Sequence, residues 1–251
     1  MKYIDVHLHF GDCRVFDLYN NEQQVMEALD LNRIDAALLQ PCPGADDYKN
    51  VHERVYSLSK KYPGRIYGLA SLNPHMPKQQ YKNDLRHFVK DCGFLGVKIH
   101  TLGHAVNPLS KDAETVYEAA GELGIPVMIH TGIGAPFALP SLCMPVAKKY
   151  PEIKFVLAHA GSTMFAGEAL IVAQECGNVY LDTTWIGICD MPGFVHGLGS
   201  KRLLYASDAS TSFENISLEI KKYESLNLSE SEYEDIFYKN AVSVFKIKNF
   251  K

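Results

Sequence analysis

The chain has 251 residues, of which 47% are hydrophobic and 22% charged, and its formal net charge is -4. This length is typical of an eight-stranded α/β barrel kept as one domain, here residues 1–251. No apolar run approaches the length that spans a bilayer, which argues against a membrane protein. The lysines are scattered and form no basic stripe, so the charge pattern argues against nucleic acid as a partner.

The first ten residues, MKYIDVHLHF, are not predicted to be a secretory signal, because Asp5, His7 and His9 interrupt their apolar character. Six cysteines are widely spaced and form no CxxC motif. In the absence of a secretory signal we interpret them as reduced thiols, and the predicted location is the cytoplasm.

Short apolar runs alternate with amphipathic stretches from one end of the chain to the other. Each run is rich in β-branched or aliphatic residues and is bounded by Gly, Pro, Asn or Asp, as is typical of buried strands. The predicted strands are Tyr3–His9, Ala36–Gln40, Ile66–Leu72, Gly96–His100, Val127–His130, Phe155–His159, Val179–Asp182 and Leu203–Ser207.

Helical periodicity occupies the stretches between these strands. Gly93, Gly124 and Gly177 are predicted to end three helices in a left-handed conformation. Ser229 and Glu232 have the spacing of a capping box and open a last helix that continues to about Phe245. The clearest of the other helices are predicted at Asp46–Tyr62, Lys78–Cys92, Ala113–Leu123 and Phe165–Cys176.

Strands that alternate with helices indicate a parallel sheet, and eight repeats indicate a closed (β/α)8 TIM barrel of the α/β class. A doubly wound open sheet is the structural alternative. It would usually contain fewer strands, and it would not need polar residues near the ends of so many of them.

The first predicted strand divides into an apolar set and a polar set of opposite parity: Ile4, Val6 and Leu8 against Asp5, His7 and His9. Because successive side chains of a strand point to opposite faces, we expect the apolar set to face the helices and the polar set to face the barrel interior. Residues i and i+2 lie about 7 Å apart at Cα and lean the same way, so two such imidazoles can converge on one ion. The motif alone is weak evidence, since short motifs recur by chance.

Three later strands also end in residues that bind metals: His130 closes the fifth, His159 the sixth and Asp208 the eighth. Active sites of α/β barrels are built at this carboxyl face. Any one of these residues could be a hydrogen-bonded core residue. The whole set is harder to explain structurally, because several buried imidazoles without a charged partner would be costly.

The order His-x-His, Lys-x-His, His, His, Asp over strands one, four, five, six and eight resembles the amidohydrolase superfamily. The local sequence is most similar to its amidohydrolase-related (amidohydrolase-2) branch, which includes relatives of aminocarboxymuconate-semialdehyde decarboxylase. The segments that carry the resemblance are IDVHLHFG, GFLGVKIHT, IPVMIHTG, KFVLAHAG, NVYLDTT and RLLYASDAS, and they span nearly the whole chain.

The resemblance implies that His7, His9, His130 and Asp208 bind one divalent metal ion, with zinc as the expected ion. Imidazoles with a carboxylate leave a coordination position for water, which then ionises near neutral pH. Asp208 is expected to transfer the proton from the nucleophile to the leaving group. His159 is expected to polarise the substrate carbonyl or to orient the water, and a role behind the ligands is its alternative.

Lys98 and His100 share the inward parity of the fourth strand. Some superfamily members carry a carboxylated lysine on this strand that bridges two metal ions. If Lys98 did so, His159 would become a ligand of a second ion. The alternatives for Lys98 are a carboxylate partner inside the barrel or contact with an anionic substrate. One ion per chain is the favoured interpretation, because the resembled branch is mostly mononuclear.

Hydrolysis of a small ester, lactone or amide by a metal-activated water is therefore the first functional hypothesis. Nonoxidative decarboxylation of a small carboxylated ring or diene is the second, since the same ligand set serves both reactions in this branch. Arg14 is the only early arginine of the rim loops, whereas a carboxylate is usually gripped by an arginine. A TatD-like nuclease is a third hypothesis. Those proteins place a metal-binding glutamate on the fourth strand, and Gly96–His100 contains none, which argues against it. A barrel without catalysis is the remaining alternative, and a homodimer is left open.

Other polar residues receive weaker predictions. Asp182 is expected to form structural hydrogen bonds across the rim, and Trp185 lies in a loop that lines a pocket or forms a subunit contact. His75 and His104 follow strand ends and are expected in solvated loops, with substrate contact as the alternative. Solvent exposure is also expected for His52, His87 and His196. The loops expected to contact the substrate are 10–20, 101–109, 131–141, 184–194 and 209–217.

Overall fold

Eight parallel strands follow one another in chain order in the computed structural model, which describes residues 1–45, 47–210, 212–248 and 250. The barrel closes where the eighth strand meets the first. Leu8 and Ala209 form a parallel bridge there, and the backbone N–H of His9 donates to the Ala209 carbonyl at 2.8 Å. The (β/α)8 barrel predicted from the sequence is confirmed.

The strands are β1 (Ile4–Phe10), β2 (Ala36–Pro41), β3 (Ile66–Ala70), β4 (Gly96–Ile99), β5 (Val127–His130), β6 (Phe155–Ala158), β7 (Val179–Asp182) and β8 (Leu203–Leu204). The α-helices are α1 (Glu22–Leu31), α2 (Tyr48–Lys61), α3 (Lys78–Lys90), α4 (Lys111–Leu123), α5 (Cys143–Lys149), α6 (Ser162–Glu175), α7 (Met191–Leu198), α8 (Glu214–Glu224), α9 (Glu230–Glu234) and α10 (Asn240–Phe245). A π-helical turn, Asp235–Lys239, joins the last two.

The predicted helix ends are partly confirmed. Gly93 and Gly124 have φ angles of 77° and 64°, and Ser229 forms the expected capping box with Glu232. The prediction for Gly177 is wrong, because α6 ends at Glu175, Cys176 after it is extended, and Gly177 has no positive φ. Asp46, the predicted first residue of the second helix, lies outside the described residues.

Alternate residues of each strand divide the core into two layers. The outer layer joins the strands to the surrounding helices. The inner layer fills the barrel with one or two side chains from most strands, and α10 packs against it. Among the inner residues are Ile4, Val6, Leu38, Met128, Val156 and Leu204.

A bulge in β1 changes which side chains face the interior. Pairing with β2 shifts register between Asp5 and Leu8, so three steps along β1 match two along β2. Ile4 and Val6 therefore belong to the inner layer, and Leu8 belongs to the outer one. The parity predicted for Ile4, Val6 and Asp5 is wrong, because an inserted residue reverses the alternation.

Asp5 packs outside the barrel wall against Ser207, in the segment that follows β8. Its carboxylate accepts hydrogen bonds from the Ser207 hydroxyl at 2.5 Å and from the backbone N–H groups of Ser207 and His7 at 3.1 Å. Burial raises the pKa of Asp5 to about 7 despite these bonds. The residue thus ties β1 to the segment after β8, where the barrel closes.

No helix in the described part of the chain is both long and apolar enough to cross a bilayer.

His52 lies in the core, and the prediction that it is solvated is wrong. Its ring stacks on Phe88 with the ring centroids 4.6 Å apart. Nδ1 donates to the Tyr48 carbonyl at 2.6 Å, and Nε2 accepts from the Ser71 backbone N–H at 2.9 Å. The helical period places His52 on the same buried face as Val55, and the two hydrogen bonds satisfy its ring nitrogens.

Replacing His52 with glutamine is expected to flatten the pH dependence of stability between about pH 6.5 and 4. Burial lowers the pKa of His52 to about 4, so the unfolded chain takes up a proton over this range and the folded chain does not. Its contribution is present above pH 6.5 and is lost as the pH falls, at about 1.4 kcal/mol per pH unit. Urea unfolding at a series of pH values measures the slope. Parallel profiles for wild type and His52→Gln would contradict the assignment, and exposed His196→Gln is the control.

Candidate metal centre and its surroundings

The fold brings the polar ends of β1, β5, β6 and β8 to one side of the barrel. His7 and His9 have ring centroids 5.2 Å apart, and His159 lies 5.0 Å from His7. His130 lies 4.9 Å from His159, edge to face. Asp208 reaches both histidines of β1 with one carboxylate oxygen. The residues singled out in the sequence therefore surround one space.

A buried carboxylate orients His7. Nδ1 of His7 donates to Oδ2 of Asp182 at 2.7 Å, and neither side chain is exposed to solvent. With the proton on Nδ1, Nε2 of His7 keeps its lone pair and faces the site. A carboxylate on the far nitrogen is the usual partner of a histidine that binds a metal. The sequence predicted only a structural role for Asp182.

Three acceptor atoms converge in front of His7. Its Nε2 lies 3.3 Å from Nε2 of His9, and each nitrogen lies 3.1 Å from Oδ1 of Asp208. Ligands of one tetrahedral zinc ion are separated by about 3.3 Å. The Lys98 ammonium lies 3.0 Å from Nε2 of His7, and the spacing of the three acceptor atoms also fits a divalent metal ion between them.

His130 stands beside this group without joining it. The donor atoms of His7, His9 and Asp208 all lie within 4.8 Å of one another, and within the described residues His130 is not part of that group. Both ring nitrogens of His130 are buried and have no hydrogen-bond partner. Its ring stacks on His100 at 4.3 Å. Buried imidazole nitrogens without a partner are costly, so the surroundings of His130 fit a metal-binding role.

A chain of hydrogen bonds assigns the tautomer of His159. The Thr184 hydroxyl donates to Oδ1 of Asp182 at 2.9 Å, so it accepts from Nδ1 of His159 at 2.7 Å. Nε2 of His159 consequently carries no proton. Burial lowers the pKa of His159 to about 4, although Asp208 opposes this, and the ring is neutral at neutral pH. Neutral His159 can accept a hydrogen bond at Nε2 but cannot donate one there.

Trp185 contacts Asp208, which sequence reasoning did not predict. Its indole N–H donates to Oδ2 of Asp208 at 2.7 Å, leaving Oδ1 to face the two histidines. The loop that carries Trp185 is tied to α8, because the Lys222 ammonium donates to the carbonyls of Thr183 and Ile186 at 3.0 Å. The Asp208 carboxylate is thus held from outside the barrel.

Backbone strain is concentrated at the same end of the barrel. Five residues other than glycine have positive φ after β6, β7 and β8: His159, Ala160, Ser162, Trp185 and Asp208. Such conformations cost about 1–3 kcal/mol each and accumulate at functional sites. No sequence signal marks them, since none of the five is the usual glycine.

Lys98 and His100 point to different parts of the site. Lys98 is buried, and its ammonium lies 3.0 Å from Nε2 of His7. Burial lowers the pKa of Lys98 to about 8, against the opposing effect of Asp208 and Asp182. His100 accepts from the Gly103 backbone N–H at Nδ1, so its Nε2 carries the proton.

The electrostatics of the site favour an anionic Asp208 beside His7. Burial and Lys98 lower the pKa of His7, but Asp208 and Asp182 outweigh them and raise it. Burial alone would raise the pKa of Asp208, but His7, His159 and His9 together hold it well below its usual value. Burial lowers the pKa of His9 and, more strongly, of His130. A metal ion requires an ionised Asp208 and unprotonated Nε2 atoms, so its binding would release the proton that His7 tends to hold.

A cavity of about 190 Å³ opens above these residues. Its wall includes no arginine or lysine among the described residues, and it is lined by His9, Phe16, Leu18, Cys42, Pro43, His100, Leu102, His130, His159, Asp208 and Ser210. The loops after β1, β4 and β8 line it as predicted. The loop after β2 also lines the cavity, which was not predicted. Thr211, in the predicted loop 209–217, lies outside the described residues.

Two predictions for the remaining histidines have different outcomes. His104 is buried, contrary to the expected solvated loop, and its Nδ1 accepts from the His100 backbone N–H at 3.2 Å. It therefore shapes the loop after β4. His75 is half exposed and pairs with Asp112 at 2.6 Å.

A family profile covers almost the whole chain. The family described as Amidohydrolase (Amidohydro_2) matches residues 4–247. The chain belongs to the amidohydrolase family. The resemblance predicted from its strand-end motifs is confirmed, and the family to which the chain belongs is a family of enzymes. None of the curated proteins matches the sequence.

Solved structures share the fold of this amidohydrolase at low identity. An uncharacterized TIM-barrel protein from Bordetella bronchiseptica is 16% identical, covers 98% of this chain and 99% of its own, and has a TM-score of 0.80. A 5-carboxyvanillate decarboxylase from Novosphingobium aromaticivorans was solved with manganese and 4-hydroxy-3-methoxy-5-nitrobenzoic acid. It is 15% identical, covers 98% of this chain and 96% of its own, and has a TM-score of 0.75. A 4-oxalomesaconate hydratase from Rhodopseudomonas palustris is 18% identical, covers 97% of this chain and 95% of its own, and has a TM-score of 0.73.

Proposed function

We propose that this amidohydrolase-family protein hydrolyses a small ester, lactone or amide, with water activated at one divalent ion held by His7, His9, His130 and Asp208. The convergence of three acceptor atoms within 3.3 Å carries the proposal. A bound divalent ion would act as a Lewis acid and would lower the pKa of a bound water to about 7. Zinc is the proposed ion because imidazole with carboxylate suits it, and manganese is the rival.

Asp208 is the proposed proton carrier. Its two oxygens have separate partners, since Oδ1 faces His7 and His9 while Oδ2 accepts from Trp185. Trp185 acts as a positioning residue that holds the carboxylate in one orientation. The carboxylate is ionised at neutral pH and is therefore available to take up a proton from water and pass it to the leaving group.

The two imidazoles beside the cavity have complementary proposed roles. His159 is neutral and has a bare Nε2, which supports orienting water as an acceptor rather than polarising a carbonyl. His100 has a protonated Nε2 and lines the cavity, which supports donation to the substrate carbonyl. Lys98 is proposed to balance the negative charge of Asp208 from inside the barrel. The proposed site holds one ion per chain.

The cavity favours a small neutral substrate. Its volume of about 190 Å³ is below the range of about 300–1,000 Å³ that is usual for drug-sized ligands. Phe16, Leu18 and Leu102 give it apolar walls. The carboxylate of a carboxylated ring, the substrate class of the decarboxylase alternative, is usually gripped by an arginine, and the described lining contains none.

A paired product assay tests the function. Protein loaded with zinc or with manganese is offered small neutral lactones, esters and amides on one side, and hydroxylated aromatic acids on the other. We expect metal-dependent proton release from the neutral substrates and no release of carbon dioxide from the acids. Protein stripped with a chelator is the control.

Either of two results would overturn the hydrolase proposal. Carbon dioxide release from the acids without hydrolysis would assign the decarboxylase reaction. Protein that binds the ion but converts neither set would remove both reactions. A cytoplasmic location remains proposed on the wide spacing of the cysteines, and the homodimer and the single domain remain predictions.

A further inference from the structure

A second group of metal-binding side chains lies on the outside of the barrel, between α2 and α3. The donor atoms of Glu53, His87 and Cys92 all lie within 4.8 Å of one another. Nε2 of His87 is 3.3 Å from Oε1 of Glu53 and 3.6 Å from Sγ of Cys92. None of these residues contributes to the site at the strand ends.

His87 is oriented in the way that a metal ligand requires. Its Nδ1 donates to Oδ2 of Asp91 at 2.9 Å, one helical turn further along the chain. That bond fixes the ring and directs Nε2 toward Glu53 and Cys92. The arrangement repeats the pairing of His7 with Asp182, a carboxylate on the nitrogen that faces away from the ligand group.

The end of α3 positions the thiol. Gly93 has a φ of 77°, and the Cys92 backbone N–H donates to the His87 carbonyl at 3.2 Å. This turn carries Cys92 back beneath His87, although five positions separate them. Cys92 is buried, whereas the side chains of Glu53 and His87 are about half exposed. An ion can therefore enter from solvent and meet a fixed sulfur.

The two distances match one tetrahedral coordination sphere. With zinc bonds of about 2.0–2.1 Å to nitrogen or oxygen and 2.3 Å to sulfur, ligands are separated by about 3.3 Å for nitrogen and oxygen and about 3.6 Å for nitrogen and sulfur. We propose that Glu53, His87 and Cys92 form a second, structural binding site for a zinc-like divalent ion that joins α2 to α3, with water in the open position.

An ion pair is the simpler alternative for the same residues. Asp91 first, and then Glu53, raise the pKa of His87, so without metal the imidazole tends to hold a proton. Burial raises the pKa of the Cys92 thiol. Metal binding would release both protons, from Nε2 and Sγ. A plain ion pair does not need the thiol, which makes Cys92 the residue that distinguishes the two interpretations.

Cobalt substitution tests the site through its sulfur. Co²⁺ bound to a thiolate gives a sulfur-to-metal charge-transfer band in the near ultraviolet, and the strand-end site has no proposed cysteine ligand. We expect wild-type protein to show the band on adding Co²⁺. His7→Ala is expected to retain it, and Cys92→Ser and His87→Ala are expected to lose it. Cys176→Ser is the matched control, because Cys176 also follows a helix and is buried.

Two outcomes would overturn the proposal. No band in wild-type protein would mean that the three residues do not bind a divalent ion. A band that survives Cys92→Ser but disappears in Cys42→Ser would place the ion in the strand-end cavity, which Cys42 lines. If Cys92→Ser does not fold, His87→Ala and Glu53→Gln supply the same comparison from exposed positions. The result is independent of the proposed hydrolase activity.

Discussion

Asp208→Asn is expected to lower kcat/KM by about 10²–10⁴-fold, the usual contribution of a positioned proton-transfer group. Asparagine has no carboxylate to take up a proton. The indole N–H of Trp185 also requires an acceptor, so the amide oxygen would turn to Trp185 and the amide –NH₂ would face His7 and His9. The substitution therefore removes the proton carrier and blocks the place of the ion.

Rates with the best substrate of the product assay measure this effect. Metal binding is followed in parallel by fluorescence, because Trp185 is the single tryptophan of the chain and donates to Asp208. Asp12→Asn is the control, since Asp12 is an exposed carboxylate in the loop after β1 with a side chain 62% accessible. Activity of Asp208→Asn within about tenfold of wild type would contradict the proton-transfer role.

His7→Ala is expected to abolish metal retention at the strand-end site. The change removes one ligand and leaves Oδ2 of Asp182 buried without its partner, since the two side chains form a fully buried pair at 2.7 Å. Breaking such a pair costs about 3–5 kcal/mol of folding stability. Elemental analysis in the Cys92→Ser background measures the ion, because that background removes the proposed outer site. We expect about one ion per chain to fall to near zero.

Two companion variants separate ligation from folding. Asp182→Asn keeps the shape of the side chain but weakens its hold on His7, so the affinity for the ion is expected to fall about 10–100-fold. His130→Ala removes no hydrogen bond, since both ring nitrogens lack a partner. A fall in ion affinity without a loss of stability would support ligation by His130. Full retention of the ion in His7→Ala, or two ions in Cys92→Ser, would overturn the mononuclear assignment.

The barrel was readable from the sequence because its strands are fully buried. Their apolar runs, bounded by turn residues and separated by helical periods, need no long-range information to be recognised. The glycines after α3 and α4 and the capping box at Ser229 are equally local. The bulge in β1 is different, because an extra residue becomes visible only when β1 is aligned with its partner β2.

For the candidate site, too, the sequence predicts some features and only the tertiary structure decides the others. The sequence by itself determined which residue types stand at the carboxyl ends of the strands, and a closed parallel barrel brings those ends together whatever the loops do. His7, His9, His130, His159 and Asp208 follow from that topology. The sequence also predicted Lys98 and His100 as neighbours of this set, through the parity of β4.

Only the tertiary structure decided how these residues are held. The bond from Trp185 to Asp208 depends on positive φ at both residues, which neither residue type announces. His7 meets Asp182 across 175 positions, and the outer cluster joins Glu53 to Cys92 across two helices. Such contacts depend on the relative placement of whole elements, to ångström precision. Periodicity and residue type define each element locally, but only packing sets the distances between them.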